Sequence, residues 1–449
     1  MNPIGWATDT WSPVTGCSPV SPACDHCYAQ RMATRLAGRF GYPADDPFRV
    51  TFHPDRLDQP LKWKKPRRVF VCSMGDLFHE DVPDEWLEAV FGVMAARPEH
   101  TFLLLTKRPE RARAWSTRPD IARHVDRMKQ IALAGRIGEY FAPERTLPIA
   151  GWPGYYVTSK GRVFSDRTHA GSRNPEDLHE LKLGGGNSGH VRAMLQVQRQ
   201  VERILVHRLV LEVFDRAAGY EEQGCHIDGD PTNNALWNLR WGTQGDNWGD
   251  SRRHGTARRY HKLTEEQVAE IRTRFSGGES ACSLAPQYGV SDTQIRNVCT
   301  GGHWPVPYEA EWPLGHCWLG VTVENQAQAR DRIGWLFSTQ AANRFVSCEP
   351  LLGPLDLTRI EVLPEEGNQP GVWLNALTGH VIGPDDMMPE KLDWVIAGAE
   401  TGPGARPADP AWFRSLRDQC QGHIPFYLKD HPGTIDGVQY REIPEGMAL

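Results

Sequence analysis

The sequence GCSPVSPACDHCYA spans residues 16–29 and places Cys17, Cys24 and Cys27 in a Cys-x6-Cys-x2-Cys array. Three thiolates on one loop can hold three irons of a [4Fe–4S] cluster and leave the fourth iron open for another ligand. They can also hold zinc, which then needs a fourth ligand or a water, or they can have a structural role. A disulfide is disfavoured because three is an odd number and the spacing is short. Spacing alone therefore leaves three interpretations of the array open: an iron–sulfur cluster, a zinc site and a structural role.

Length and composition predict a soluble protein of two or three domains. The chain has 449 residues, of which 40% are hydrophobic and 24% are charged, and this length exceeds that of one ordinary core. No apolar run reaches the length of a membrane span, and residues 1–6 lack the features of a signal peptide. We therefore expect a cytoplasmic protein without a membrane partner, located in the host cytoplasm if a phage encodes it. The net charge of −6 gives no overall nucleic-acid signal, so any such signal must be local.

Both flanks of the chain alternate short apolar runs with helical segments, which predicts a parallel sheet. A long loop is expected over about 354–390. A polar or charged residue follows each of six strands: Asp76, Lys107, Glu324, Glu349, Glu400 and Lys429. Because the carboxyl ends of parallel strands meet at one edge of a sheet, these residues indicate a common crevice there. The alternative is that they are loop caps and ion pairs.

Several blocks in the two flanks resemble one protein family. They read TWSPVTGC (10–17), CDHCYA (24–29), SMGDLF (73–78), LLTKR (104–108), WLGVTVEN (318–325), FVSCEPLLG (345–353) and GAETGPGARP (398–407). In these blocks the chain resembles phage and bacterial proteins of unknown function that are grouped with the radical S-adenosylmethionine (SAM) enzymes. The resemblance implies a partial (β/α) barrel, a [4Fe–4S] cluster on Cys17, Cys24 and Cys27, and SAM on the open iron.

The same resemblance implies where the cofactor lies and what it does. Gly75 and Asp76 stand where such enzymes hold the SAM amino group through a Gly-Gly-Glu loop, and Glu324, Glu349 and Glu400 are further candidates for the cofactor site. An external donor would reduce the cluster, which cleaves SAM to a radical that abstracts hydrogen from a substrate. Most radical SAM enzymes have Cys-x3-Cys-x2-Cys, whereas the first gap here is six residues. The substrate is not implied, and a nucleic-acid base is a candidate only because of the insert that follows.

The insert, at about 141–307, is the more basic part of the chain. Its run SRRHGTARRYHK, residues 251–262, has five Lys and Arg residues and no acid. We expect Arg252, Arg253, Arg258 and Arg259 to contact DNA phosphates, although such a run can also be a solvated linker. Residues 149–163 predict a β-hairpin and resemble the nuclease-associated modular (NUMOD) segment of phage homing endonucleases.

The middle of the insert resembles an HNH nuclease of the homing type, with a ββα-metal site. The matching blocks read CHIDGDPTNN (225–234) and WNLRWGT (237–243). The resemblance implies that His226 is the general base, that Asn238 orients it, and that Asn247 binds Mg²⁺ or Mn²⁺ on the scissile phosphate of double-stranded DNA. Cys225 stands where relatives often have an aspartate ligand. Thiolate is a poor ligand for Mg²⁺, so cleavage is weakened, shifted to another metal, or supported by Asp228 instead.

The end of the insert predicts a helix–turn–helix. Thr264 and Gln267 have the spacing of a capping box at a helix start. Two further short helices follow, separated at residues 289–291. Gln294 and Arg296 lie on the last helix, which would read the major groove of DNA. The alternative is a small structural bundle of three helices.

Together these features predict an α/β fold in which a partial (β/α) radical-SAM-type barrel carries an inserted α+β HNH nuclease and a helix–turn–helix. The expected domains are the first barrel half with the cysteine loop (1–135), the NUMOD-like hairpin segment (141–185), the HNH nuclease (186–257), the helix–turn–helix (258–307) and the second barrel half (310–449). We expect a phage or prophage protein with both activities. The alternative is that only the insert is active, as a nicking endonuclease, in a passive or zinc-stabilised host.

Overall fold

The computed structural model describes residues 4–167, 172–185, 189–197, 200–254, 263–299, 311–362, 372–382 and 390–447. The chain forms two compact units. Residues 1–138 and 311–449 build the first, called the half-barrel unit, and residues 139–310 build the second, called the insert unit. In the ranges described, no helix is both long enough and apolar enough to cross a bilayer.

The strands and helices follow in chain order. The first segment contains β1 (Asp9–Trp11), β2 (Val14–Thr15), α1 (Tyr28–Arg35), β3 (Thr51–Phe52), β4 (Arg68–Val71), α2 (Asp84–Ala95), β5 (Thr101–Thr106), α3 (Pro109–Ser116), α4 (Ile121–Leu133) and α5 (Ile137–Tyr140). The middle segment contains β6 (Thr146–Pro148), β7 (Tyr155–Thr158), β8 (Val163–Ser165), β9 (His179–Glu180), β10 (Gly184–Gly185), β11 (Val191–Val197), β12 (Gln200–Leu205), α6 (Val206–Phe214), β13 (Gln223–His226), β14 (Leu239–Gly242), α7 (Gln244–Arg253), α8 (Glu265–Ser276), α9 (Ala281–Leu284) and α10 (Asp292–Cys299). The last segment contains β15 (Cys317–Thr322), α11 (Gln326–Ser338), β16 (Asn343–Cys348), β17 (Ile360–Val362), β18 (Val372–Leu374), β19 (Val381–Ile382), β20 (Trp394–Ala397), α12 (Pro410–Cys420) and β21 (Phe426–Leu428).

The half-barrel unit is built on one parallel sheet with the strand order β1-β4-β5-β15-β16-β20-β21. The spatial order follows the chain order, as in a (β/α) barrel, whereas a doubly wound sheet reverses its order. The sheet curls into a half-barrel, which confirms the predicted parallel α/β fold. Two details differ from the sequence expectation: β1 was not predicted, and the expected loop at about 354–390 contains the antiparallel sheet β17–β19.

Along the strands, one face of the sheet changes from aromatic to polar. Alternate residues of a strand share a face, so Phe345 and Ser347 of β16 and the following Glu349 point the same way. Phe345 packs with Trp6, Trp318 and Trp394 in the apolar cluster at the beginning of the strands. A Cβ on Gly320 would lie 2.5 Å from the Phe345 ring, so this glycine makes room for that cluster. The polar side chains therefore gather at the carboxyl ends.

The insert unit contains small antiparallel sheets around α6. Strands β7 and β8 pair antiparallel, which confirms the predicted hairpin. Strand β13 pairs antiparallel with β14, and α7 follows, so this segment has ββα topology. The core of the insert unit contains apolar residues from β7, β11, α6 and β14.

Helices α8, α9 and α10 enclose a separate apolar core that includes Ile271, Leu284 and Ile295. The capping box of Thr264 and Gln267 is present at the start of α8, as predicted. Gly289 adopts a φ of 65° before α10, a left-handed conformation that favours glycine. The helix spacing agrees with the predicted helix–turn–helix pattern.

Candidate functional site

A cavity of about 450 Å³ opens in the half-barrel unit at the carboxyl ends of the strands. Trp6, Phe70 and Leu105 contribute apolar lining. Most of the residues that the sequence assigned to the cofactor site also line it: Cys17, Cys24, Cys27, Gly75, Asp76, Glu349 and Glu400. Glu324 is fully buried and does not line the cavity. The structure thus brings the three thiols to the polar edge of the sheet.

Two glycines join the cysteine loop to the loop after β4. Gly16 donates its backbone N–H to the Met74 carbonyl at 2.9 Å and has a φ of 89°. A Cβ on Gly75 would lie only 2.6 Å from the Gly16 carbonyl oxygen. Cys17 then donates its N–H to the Phe48 carbonyl at 3.1 Å. Gly75 therefore acts in this structure by allowing the backbones to approach, which fixes the position of Cys17.

Asp76 is buried, and its carboxylate is engaged inside the protein. It accepts a hydrogen bond from the Thr106 hydroxyl at 2.8 Å and from the Lys107 N–H at 3.0 Å. Arg108 lies against the same carboxylate, at 3.5 Å, and donates to the Cys17 Sγ at 3.2 Å. Asp76 thus orients the guanidinium that contacts a predicted metal ligand.

Lys107 and Glu324 reach the cysteine loop from the ends of β5 and β15. The Lys107 Nζ lies 3.5 Å from the Cys24 Sγ. Glu324 accepts a hydrogen bond from Arg332 at 2.8 Å and another from the Ser21 hydroxyl. Since Ser21 belongs to the cysteine loop, Glu324 holds this loop in place and does not face the cavity.

Glu400 and Glu349 are each paired with a cation. Arg406 donates from Nε to Glu400 at 2.9 Å and from Nη2 to the Pro22 carbonyl of the cysteine loop at 2.9 Å. Lys429 pairs with Glu349 at the cavity wall. The residues that follow the strands therefore form ion pairs and also surround one crevice. The two interpretations of the sequence pattern, a common crevice and ion pairs, thus do not exclude each other.

The two thiols beside these cations have different acidities. Burial raises the pKa of Cys17 to about 11, and Asp76 adds to this, while Arg108 opposes it. Burial also acts to raise the pKa of Cys24, but Lys107 and the hydrogen bonds from the loop outweigh it, so the pKa is lowered. Cys24 is therefore the more readily ionised of the two and the better initial ligand.

The spacing of the thiols bears on which metal centre fits. A Zn–S distance of about 2.3 Å puts the sulfurs of a tetrahedral zinc site about 3.8 Å apart. A cubane cluster binds each thiolate at a different iron and needs a wider spacing. The two cations near the sulfurs would offset the charge of thiolate ligands in either kind of centre.

In the insert unit, His226 ends the first strand of the ββα segment and is held by Asn234. The His226 Nε2 lies 3.2 Å from the Asn234 Oδ1, and the Asn234 amide nitrogen donates to the Thr232 carbonyl at 3.0 Å. This amide orientation makes the His226 Nε2 the donor and leaves Nδ1 with the lone pair. Burial lowers the pKa of His226, so the imidazole is neutral near pH 7, as a general base requires.

Asn238 is fully buried and holds the loop after His226. Its amide nitrogen donates to the Asp228 carboxylate and to the Asn233 carbonyl, both at 2.8 Å, and its Oδ1 accepts from the Asp228 N–H at 3.0 Å. The Asp228 carboxylate also accepts from the Asn233 side chain at 2.6 Å. The side chain that hydrogen-bonds to the His226 ring is thus Asn234, whereas Asn238, the predicted orienting residue, holds the loop in which Asp228 is engaged.

Cys225 and His226 point to opposite faces of β13, since neighbouring strand residues alternate. A Cβ on Gly242 would lie 3.1 Å from the Cys225 Sγ and 3.2 Å from the Asp246 Cβ, so Cys225 faces the beginning of α7. Asn247 is exposed in this part of α7. The Cys225 thiol therefore lies at the α7 side of the strand, and Asn247 belongs to that helix. Burial raises the pKa of Cys225 to about 11.

Two histidines that the sequence analysis did not single out lie beside His226. His190 precedes β11, and His207 lies in the first turn of α6. The ring centroids are 5.2 Å apart for His190 and His207, 5.6 Å for His190 and His226, and 5.1 Å for His207 and His226. The sequence separations give no local signal for this cluster, because it is made by tertiary packing.

The predicted DNA-binding residues are only partly described. Gln294 accepts a hydrogen bond from the Ser291 N–H at 2.9 Å and so caps α10, while Arg296 is exposed on the same helix. The side chains of Arg252 and Arg253, at the end of α7, and the whole of Arg258 and Arg259 lie outside the described residues.

Comparison with protein families gives one assignment. The family described as "Protein of unknown function (DUF5131)" matches residues 1–159 and 256–443. The chain belongs to this family. The DUF5131 segments contain the whole predicted cofactor site, from Cys17 to Glu400, whereas the gap between them, 160–255, contains the ββα segment. The metal-centre candidates in the DUF5131 part and the nuclease candidates in the gap are therefore separate features of the chain.

Further comparisons add little. A search of curated proteins gave no match. Among solved structures, the chain is similar to one titled "DNA binding and cleavage by the HNH homing endonuclease I-HmuI". The sequence identity is 23%, the match covers 35% of this chain and 91% of that chain, and the TM-score is 0.22. A TM-score this low does not establish a shared fold.

Proposed function

We propose that the half-barrel unit of this DUF5131 protein binds a [4Fe–4S] cluster through Cys17, Cys24 and Cys27, with SAM in the adjoining cavity. The observation that carries the proposal is the presence of all three thiols in the wall of one cavity at the carboxyl ends of the strands. In α/β folds, this end of the sheet is where ligands bind.

The surroundings of the thiols support this proposal. Lys107 and Arg108 lie within 3.5 Å of sulfur atoms, and their charges offset those of thiolate ligands. A cavity of about 450 Å³ has the size of a cofactor site. Glu349 and Lys429 pair with each other at the cavity wall; if this pair opened, they would offer a carboxylate and an ammonium group to the amino and carboxylate groups of SAM. A reduced cluster would supply one electron to SAM, and an external donor would reduce it. The radical substrate is unknown, and a nucleic acid is a candidate only because the chain also contains the insert.

Anaerobic reconstitution with iron and sulfide tests the cluster proposal. We expect about four irons per chain, from the composition of the cluster, and visible thiolate-to-iron absorption. The variant with Cys17→Ser, Cys24→Ser and Cys27→Ser should lose both signals. Cys282→Ser, which changes an exposed thiol, is the matched control and should keep them. One zinc ion and no iron would overturn the proposal and make the half-barrel a zinc-stabilised or passive host.

A second function belongs to the insert unit, which we propose is an HNH-type endonuclease for double-stranded DNA. The observation that favours it is the position of His226 at the end of the first strand of a ββα segment, where the contact from Asn234 to Nε2 leaves the lone pair on Nδ1. Asn247 would bind Mg²⁺ or Mn²⁺, which would stabilise the charge that develops on the scissile phosphate. Cys225, whose pKa is raised to about 11, is a poor second ligand for Mg²⁺. The basic run at 251–262 and helix α10 would hold the DNA.

Plasmid nicking tests the endonuclease proposal. Supercoiled DNA should be converted to the open or linear form with Mn²⁺ or Mg²⁺ and remain intact with EDTA. His226→Ala should lower the rate by about 100-fold or more, the contribution of a general base. His179→Ala changes an exposed histidine of the same unit and should have no effect. Equal rates for the two variants, or no nicking with either metal, would contradict the proposal.

A further inference from the structure

Three imidazoles from separate elements of the insert unit converge at one place. His190, His207 and His226 each offer a ring nitrogen, and these nitrogens all lie within 4.8 Å of one another. A Zn–N distance of about 2.1 Å would put the nitrogens of a tetrahedral site about 3.4 Å apart. Side-chain movements of about 1 Å would therefore bring the three nitrogens onto one ion.

His207 supplies a second observation. His207 is 4% exposed, and its buried Nδ1 has no hydrogen-bond partner among the residues that the structure describes. Buried polar atoms in folded proteins nearly always have a partner, and an exception calls for an explanation such as a bound ion. A Cβ on Gly224 would lie 2.6 Å from the His207 Cδ2, so glycine at this position lets the ring stand on the same face of β13 as His226.

We propose that His190, His207 and His226 bind a transition-metal ion, with Zn²⁺ as the first candidate. Three neutral nitrogen donors suit Zn²⁺, Co²⁺, Ni²⁺ and Cu²⁺, whereas Mg²⁺ prefers oxygen ligands. Three protein ligands also leave the fourth position of a tetrahedral ion open. The Asn234 contact to His226 acts as the outer-shell hydrogen bond that fixes the ring orientation of a ligating histidine.

The site has a consequence for the proposed nuclease. A neutral imidazole has one lone pair, which can accept either a proton or a metal ion. Binding of Zn²⁺ to His226 and general-base catalysis by His226 therefore exclude each other. This consequence rests on the proposed nuclease function, whereas metal binding itself does not.

Direct binding is tested on the full chain with Cys17, Cys24 and Cys27 replaced by serine, so that the cysteine loop takes up no metal. Calorimetry with Zn²⁺ and the visible spectrum with Co²⁺ should show one nitrogen-ligated ion. His190→Ala should lower the affinity for Zn²⁺ by more than 100-fold, because loss of an outer-shell contact alone costs up to about 100-fold. His190 is only half-buried, so this variant should fold, and circular dichroism verifies that. His179→Ala is the control. Equal binding by the His190→Ala variant and its parent would overturn the site.

Inhibition is tested separately by nicking in Mg²⁺ or Mn²⁺ with added Zn²⁺. The parent protein should lose activity as the site fills, and Zn²⁺ should inhibit His190→Ala much less, relative to the activity of each protein without Zn²⁺. Equal inhibition of both proteins would refute the competition at His226. If neither protein nicks DNA, the nuclease proposal fails, and the calorimetry alone decides whether the three-histidine site exists.

Discussion

Replacement of Asp76 by asparagine should loosen the half-barrel unit around the cysteine loop. The carboxylate accepts hydrogen bonds from the Phe78 N–H, the Thr106 hydroxyl and the Lys107 N–H and faces Arg108 at 3.5 Å. An asparagine keeps one acceptor but turns an N–H group toward a donor or toward the guanidinium. The side chains of Asp76 and Arg108 are 7% and 9% exposed. Removing one partner of such a buried pair costs about 3 kcal/mol or more.

Hydrogen exchange followed by mass spectrometry measures this loss in the half-barrel unit alone. A cost of about 3 kcal/mol corresponds to an approximately 100-fold loss of protection in peptides that cover β4 and β5. Peptides of the insert unit serve as an internal reference. Asp81→Asn is the matched control, because the Asp81 side chain is 74% exposed in the same loop.

A double-mutant cycle separates the ion pair from the hydrogen bonds. Arg108→Met together with Asp76→Asn should cost about 1–2 kcal/mol less than the sum of the single changes, because the second change removes a charge that the first left unpaired. Unchanged protection in Asp76→Asn, or strictly additive costs, would refute the reasoning that Asp76 acts through Arg108.

Three further outcomes follow from the structure. Asn234→Ala should slow nicking by about 10- to 100-fold through loss of the contact that orients the base, whereas Asn238→Ala should lower the melting temperature of the insert unit; the reverse pattern would restore the sequence-based assignment. Gly75→Ala should cut iron uptake during reconstitution, since a methyl group would lie 2.6 Å from the Gly16 carbonyl, and full uptake would argue against this close contact. Burial lowers the pKa of His53 to about 4, below the value of about 6.5 in an unfolded chain. Because the unfolded chain then binds the extra proton, stability should fall as pH drops from about 6.5 toward 4. Urea titrations should show a smaller change in the free energy of unfolding between pH 7 and pH 5 for His53→Gln than for the wild type.

The sheet was predictable because its signal is local. Runs such as 101–106 and 317–322 are apolar and long enough to indicate buried parallel strands. The shared position of the polar residues after such strands, including Asp76 and Glu349, follows from the rule that the ends of parallel strands meet at one edge. Strand β1 was missed because Asp9–Trp11 has three residues and no apolar run. Strands β17–β19 were missed because short strands in a Gly- and Pro-containing segment look like a loop.

The contacts within the sites were less predictable because they depend on tertiary structure. Asn234 and Asn238 lie four residues apart in one loop, and only the loop conformation decides which of them faces His226. His190 reaches the same place from 36 residues before it in the sequence. Arg406 was part of a recognised block, yet nothing local indicates that it joins Glu400 to the Pro22 carbonyl. Residue types were therefore easier to predict than their partners.

The most direct test of the central claim is the electron paramagnetic resonance spectrum of the reconstituted, reduced protein with and without SAM. We expect a reduced [4Fe–4S] signal that changes when SAM is added, because SAM would bind the iron that the three cysteines leave open. The signal should disappear in Cys24→Ala. A cluster signal that SAM leaves unchanged would contradict the SAM assignment, and a protein with zinc and no cluster signal would contradict the account of the half-barrel unit as a whole.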